Sequence, residues 1–127
     1  MVTAVLLVDD FGPHRARCVA LLAKRFSLSL REVRKSAEHG EPVVAGKLFD
    51  RLNPSFADGL AEALADLEAL GCRRRAFEVP DGEIWTSPEG CYELTAERLR
   101  NMIVAHRTSL EYQRWVGALQ DPDPDQI

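Results

Sequence analysis

The stretch Val5-Leu-Leu-Val-Asp-Asp-Phe-Gly-Pro13 carries the strongest structural signal in this chain of 127 residues. A continuous apolar run over residues 3–8 is typical of a central β-strand, and it ends in two adjacent carboxylates, Asp9 and Asp10. Glycine and proline then break the strand, and proline suits the first turn of a helix. Because an unpaired buried carboxylate is very costly, we expect both acids to face a cation, an ammonium group or a structural partner.

Helices and strands alternate outward from this stretch. Apolar residues recur at helical spacing in four segments, and strands are predicted between them; the helices cover 14–26, 29–40, 53–71 and 95–119, and the strands cover 42–49, 75–79 and a hairpin return at 83–86. Ser29 opens a capping box and Thr95 caps the last helix, while Gly46 is read as a bulge. The third helix is expected to start at Asn53.

Composition limits the classes of function. The net charge of −4 argues against a nucleic-acid partner, because phosphate neutralisation needs a basic surface. No run approaches the ~18 apolar residues of a membrane span, and the first residues do not read as a signal peptide. The three cysteines lack metal-ligand spacing. We therefore expect a cytoplasmic protein without metal, cofactor or membrane contact, and nothing in the sequence indicates an enzyme.

Residues 3–79 resemble ClpS, the adaptor of the Clp protease. The likeness is carried by the acid-terminated strand, the junction Ser27-Leu28-Ser29, the segment Gly40-Glu-Pro-Val-Val-Ala-Gly46 and the helix from Phe56 to Gly71. The same fold occurs in the C-terminal domain of the bacterial ribosomal stalk protein, which residues 27–32 and 62–71 resemble about as well. The resemblance implies an α+β fold: a three-stranded antiparallel sheet with helices on one face, in the order β-α-α-β-α-β. A C-terminal β-hairpin and a long helix follow it.

The resemblance to ClpS also implies a binding site. In that family the acids that end the first strand, with a histidine of the second helix, bind the free α-amino group of a peptide, and an apolar pocket takes its first side chain. Carried over by position, the ligand-binding residues are Asp9, Asp10, Gly12, His14 and Val33. The chain departs from the family where Val8 replaces an asparagine and Ala37 replaces the second-helix histidine.

Two other families share features with the chain. Arg15, Arg31 and Arg34 match basic positions that the stalk protein uses to contact translational GTPases. An acid pair after a strand also holds magnesium in phosphoacceptor receiver domains, and Asp50 has roughly the position of their phosphorylated aspartate. A receiver needs a lysine late in the chain, however, and the last lysine here is Lys47.

The sequence as a whole favours a non-catalytic, adaptor-like module that binds a peptide or protein, with an unfoldase or another large assembly as a candidate partner. The alternative is a small acidic inhibitor, an immunity-type protein or a stalk-like interaction protein without a peptide pocket. The space between Asp10, His14 and Val33 discriminates between them: an open apolar cavity favours peptide binding, and a filled one favours a flat protein interface.

We expect three regions along the chain. Residues 1–80 form the ClpS/stalk-like domain, residues 81–120 form a hairpin and helix packed on it, and residues 121–127 form a disordered tail. The apolar stripe of the last helix is too long to remain in water. This helix should therefore pack on the domain or on a second copy of the chain, which makes it a candidate dimer interface.

Overall fold

The structure is a computed structural model that describes residues 2–120, with only the backbone of 119 and 120. The predicted disordered tail lies outside these residues. The elements in chain order are β1 (Thr3–Asp10), a 3₁₀ turn (Gly12–His14), α1 (Arg15–Arg25), α2 (Leu30–Glu38), β2 (Val44–Lys47), α3 (Phe56–Ala69), β3 (Arg73–Val79), β4 (Tyr92–Glu93) and α4 (Ala96–Gln120). No helix within residues 2–120 combines the length and the apolar character needed to cross a membrane.

The sheet has the strand order β2-β1-β3-β4, and all neighbouring strands are antiparallel. The predicted α+β class with an antiparallel sheet is confirmed, but the sheet has four strands rather than three. The predicted hairpin return at 83–86 is wrong, because those residues form no strand and Tyr92–Glu93 pairs with β3 instead. Trp85 packs over the ring of Phe77, with centroids 5.6 Å apart. This segment therefore covers the sheet instead of extending it.

Different parts of the chain pack on the two faces of the sheet. Side chains alternate between the faces of a strand. Leu6 and Val8 of β1 accordingly join the main core with the helices, whereas Val5 and Leu7 join a smaller cluster. That smaller cluster includes Phe77 and Val79, and Trp85 and Cys91 pack against it. The helices lie on one face and residues of the 80–91 loop cover the other.

Gly46 is not a bulge. The register between β1 and β2 runs without a shift through the pair Ala4–Gly46. A Cβ atom at Gly46 would lie 2.7 Å from the Cζ atom of Phe56, so the missing side chain makes room for that ring. The irregularity lies in β1 instead, between Val8 and Asp10.

The caps predicted at Ser29 and Thr95 are confirmed. The Ser29 hydroxyl accepts a hydrogen bond from the Glu32 amide at 3.0 Å, and the Thr95 hydroxyl accepts one from the Arg98 amide at 3.1 Å. The third helix begins at Phe56 rather than Asn53. The carbonyl of Asn53 accepts a bond from the Phe56 amide at 3.3 Å, so the chain completes a turn before the helix starts.

The long helix α4 changes environment along its length. Leu99 and Ile103 are buried in the main core, and the ring of His106 stacks on Phe49 at 4.2 Å between centroids. From residue 107 to residue 118 the side chains are exposed, apart from the half-buried Val116. The first half of α4 is thus part of the domain. The second half is mostly exposed, although Arg107 at its start forms an ion pair with Asp58 of α3 at 3.1 Å.

Candidate functional site

The two carboxylates at the end of β1, Asp9 and Asp10, lie in different surroundings. Asp9 reaches across the sheet to Arg75 of β3, whose guanidinium lies over the ring of Phe77 at 5.6 Å. Asp10 instead turns back onto the chain and accepts a hydrogen bond from the Gly12 amide at 2.9 Å. The register shift between residues 8 and 10 accompanies this divergence. The two carboxylates therefore do not point to one common site.

Asp9 is engaged by an arginine of its own chain. Arg75 Nε and Nη2 donate to the two carboxylate oxygens of Asp9 at 2.8 and 2.9 Å. These hydrogen bonds raise the pKa of Arg75 above its ordinary value. Both side chains are about 40% exposed, and an exposed ion pair contributes ~0–1 kcal/mol; the two-point geometry places this one toward the upper end. A partner that bound Asp9 would have to displace Arg75.

Asp10 is fixed but not neutralised. Its Oδ1 atom accepts the bond from the Gly12 amide, and no ion pair involves its side chain within residues 2–120. Gly12 has a φ of +74°, and a Cβ there would collide with the Gly71 carbonyl. Glycine at this position therefore allows the turn that holds Asp10, and it lets the turn pack on the end of α3.

A shallow open cleft of about 320 Å³ lies beside Asp10. It is lined by Val8, Asp9, Asp10, Phe11, Gly12, Arg15, Ala37 and Glu38. Arg15 and Glu38 form an exposed ion pair across it at 3.4 Å. The charges of the cleft therefore balance in pairs, apart from the carboxylate of Asp10.

The five predicted ligand-binding residues do not share this cleft. Asp9, Asp10 and Gly12 line it, whereas His14 and Val33 do not. His14 is exposed, and Val33 is fully buried in the main core. Because Val33 is packed among other core residues, the space that the resemblance assigns to a peptide side chain is filled.

Three residues of the cleft region were not predicted from the sequence. Arg75 neutralises Asp9, but this pairing depends on the register between β1 and β3, and no sequence pattern specifies that register. Arg15 and Glu38 meet only because α1 and α2 pack side by side. From the sequence, Arg15 is predicted only as a match to a basic position of the stalk protein. The one sequence signal for the ion pair is that Arg15 and Glu38 carry opposite charges, with Arg15 at the start of α1 and Glu38 at the end of α2.

The two buried cysteines contact each other near the same end of the sheet. The Cys18 thiol hydrogen-bonds with Cys72, and it also donates to the Phe11 carbonyl at 3.6 Å. Burial raises the pKa of Cys18, and it raises the pKa of Cys72 to about 12. Since the thiolate is the nucleophilic form of cysteine, these thiols are packed groups rather than reactive ones at neutral pH.

Neither metal-binding geometry nor similarity to a known protein identifies what this site binds. Among residues 2–120, no three His, Cys, Asp or Glu side chains come together in a way that could hold a metal ion. A scan against protein-family models, a search of the curated proteins and a search of the solved structures each found no match. The resemblance to ClpS stays a prediction.

Proposed function

We propose that the chain is a non-catalytic module that binds a protein or peptide, and that Asp10 receives a cationic group of the partner. The observation that carries this proposal is the charge balance of the cleft. Arg75 pairs with Asp9 and Arg15 pairs with Glu38, while within residues 2–120 the Asp10 carboxylate has only the Gly12 amide as a donor. A lysine, an arginine or a free α-amino group of a partner would form an ion pair with this carboxylate.

The shape of the cleft supports a surface contact. The cleft is shallow and open, and the core position Val33 is not accessible from it. A partner would therefore lay a charged group on the cleft instead of inserting an apolar side chain. This arrangement supports the alternative of a small acidic inhibitor, an immunity-type protein or a stalk-like interaction protein, which would bind its partner through a flat interface.

A peptide α-ammonium is the second candidate ligand. It is favoured by the position of Asp10 at the end of β1, where the Gly12 amide fixes the carboxylate and leaves its other oxygen exposed. Ala37 lines the cleft at the position where the resembling family has a histidine. This departure removes one hydrogen-bonding group, so we expect weak binding.

Three peptides distinguish these ligands in an NMR titration of the ¹⁵N-labelled chain. The peptides share one sequence without arginine: the first has a free N-terminus, the second is acetylated, and the third is acetylated and contains one lysine. The resonance of the Gly12 amide reports binding, because this amide donates to Asp10. An α-ammonium ligand should shift it with the first peptide only and should bind less tightly above pH ~8. A partner lysine should shift it with the third.

The variant Asp10→Asn removes the charge and keeps an acceptor for the turn. Since an exposed ion pair is worth ~0.5–1 kcal/mol, binding should weaken ~2- to 5-fold. Asp50→Asn is the matched control, because the Asp50 carboxylate accepts from the Leu52 amide at 3.0 Å in the same kind of turn. Equal effects of the two variants, or Gly12 shifts that do not depend on peptide charge, would reject the proposed role of Asp10.

The state of the cysteines supports a reducing compartment for this function. Cys18, Cys72 and Cys91 are all free thiols, and free thiols are typical of cytosolic proteins. We therefore propose that the module acts in the cytoplasm.

A further inference from the structure

Strand β2 forms one edge of the sheet. Within residues 2–120 it pairs with β1 on one side and with no strand on the other. The Leu48 amide donates to the Val2 carbonyl at 2.8 Å, and the bonds of an antiparallel ladder fall on alternate residues. By the register of the pair, Ala45 and Lys47 therefore direct their backbone N–H and C=O groups away from β1. Such groups at a sheet edge are able to pair with a further strand.

An open groove of about 640 Å³ runs along this free edge, and we call it the β2 groove. Its lining residues come from three segments, 25–28, 43–46 and 53–62, and none comes from β1. Apolar side chains form part of the lining: the rings of Phe26 and Phe56 meet edge to face with centroids 6.0 Å apart, and Leu28 also lines the groove. Because side chains alternate along a strand, every second side chain of a strand added to β2 would face this groove.

A second copy of β2 has no side chain with which to fill the groove. On the helix side of the sheet β2 presents Val44 and Gly46. Val44 is already buried in the main core of its own domain, and Gly46 has no side chain to insert. A symmetric antiparallel pair centred on Gly46 would also place the two Lys47 side chains on one face as diagonal neighbours, ~7–8 Å apart. A strand with free side chains therefore fits this edge better than a copy of the chain does.

We propose that an extended segment of a partner protein adds to β2 as a fifth strand of the sheet. Main-chain bonds to Ala45 and Lys47 would hold the segment, and its alternate apolar side chains would enter the β2 groove. Lys47 is exposed, and no acidic side chain within residues 2–120 pairs with it. An acidic residue on the other face of the segment would form a cross-strand pair with Lys47. The expected segment thus alternates apolar with polar residues and includes an acid.

The β2 groove is separate from the Asp10 cleft, since the two share no lining residue. The probe is an acetylated and amidated peptide of sequence Thr-Val-Glu-Val-Thr, which carries no cation for Asp10. In an NMR titration of the ¹⁵N-labelled chain it should shift the amides of Ala45 and Lys47 and slow their exchange with solvent. Asp10→Asn should leave this binding unchanged. A peptide with serine in place of both valines should bind at least ~10-fold more weakly.

Proline tests the backbone bonds. Ala45→Pro removes an N–H that points away from β1, so it should weaken peptide binding ~10-fold while the edge strand tolerates the ring. Glu93→Pro is the matched control on the opposite edge. The Leu94 amide bonds to the Ala76 carbonyl at 2.7 Å, so the Glu93 amide points away from β3 in the same way. Circular dichroism shows whether each variant keeps its fold.

Charge reversal keeps the test independent of the proline variants. Lys47→Glu should weaken binding of the peptide ~2- to 5-fold, and should strengthen binding of a peptide with lysine in place of glutamate. Three results would overturn the proposal. The first is no saturable shift at Ala45 and Lys47 up to ~5 mM peptide, and the second is equal effects of the two proline variants. The third is a free chain that sediments as a dimer with both amides already protected from exchange, which would place a second copy on the edge.

Discussion

Replacing Leu99 by alanine tests whether the start of α4 belongs to the core. Leu99 is fully buried, and its amide bonds to the carbonyl of the cap residue Thr95 at 2.9 Å. A buried leucine truncated to alanine costs ~2.7–5 kcal/mol, depending on how far the site collapses. Leu99 lies in the main core with neighbours from the sheet and other helices, so we expect ~3–4 kcal/mol. That is a large share of the ~5–15 kcal/mol that stabilises an ordinary domain.

Urea unfolding followed by circular dichroism gives the free energy of unfolding directly. With a slope of ~1.5–2 kcal/mol per molar, the midpoint for Leu99→Ala should fall by ~2 M. Leu110→Ala is the control on the same helix. Leu110 is 41% exposed, so its truncation should cost no more than ~1 kcal/mol. Both variants are measured at ~1 µM protein, so that self-association contributes little. Equal losses for the two variants would refute the division of α4 into a packed half and a projecting half.

Two further stability predictions come from single contacts. Burial raises the pKa of Cys72 from 9.0 to about 12, so the native chain keeps a proton that the unfolded chain releases above pH 9. The free energy of unfolding should fall as the pH rises from 9 to 12, and Cys72→Ala should flatten this slope by up to ~1.4 kcal/mol per pH unit. An identical slope in both proteins would contradict the assignment to this thiol. Gly46→Ala forces a methyl group against the Phe56 ring and should cost ~1–3 kcal/mol in thermal or urea unfolding. Gly59→Ala, in open space within α3, should instead stabilise by ~0.4–1 kcal/mol; stabilisation by both changes would rule out the predicted clash.

The sequence predicted those elements that form through interactions between residues close together in the chain. The apolar run of β1 became the central strand, and the caps at Ser29 and Thr95 formed as the pattern required. A strand of two residues such as Tyr92–Glu93 is too short to produce any pattern of alternation. Its pairing depends on the neighbouring strand β3, so no local pattern predicts it.

Long-range contacts account for what the sequence did not show at the candidate site. Position alone made Asp9 and Asp10 look equivalent, yet Arg75, which is 66 residues away along the chain, distinguishes them. Val33 was placed in a pocket by resemblance, but its burial follows from the packing of α2 against β1 and α1. Gly46 is predicted to be a bulge because glycine within a strand commonly marks either a bulge or the close approach of another group, and the sequence does not distinguish the two. Only the position of the Phe56 ring shows that close packing is the cause here.

A single exposed carboxylate such as Asp10 contributes only ~0.5–1 kcal/mol to an ion pair, which is little for specific recognition. If Asp10 acts as we propose, other contacts of the partner must supply most of the free energy of binding. Asp10→Asn should therefore weaken the binding of a protein partner by only ~2- to 5-fold, and a complete loss of binding would show that this carboxylate does more than pair with one exposed cation.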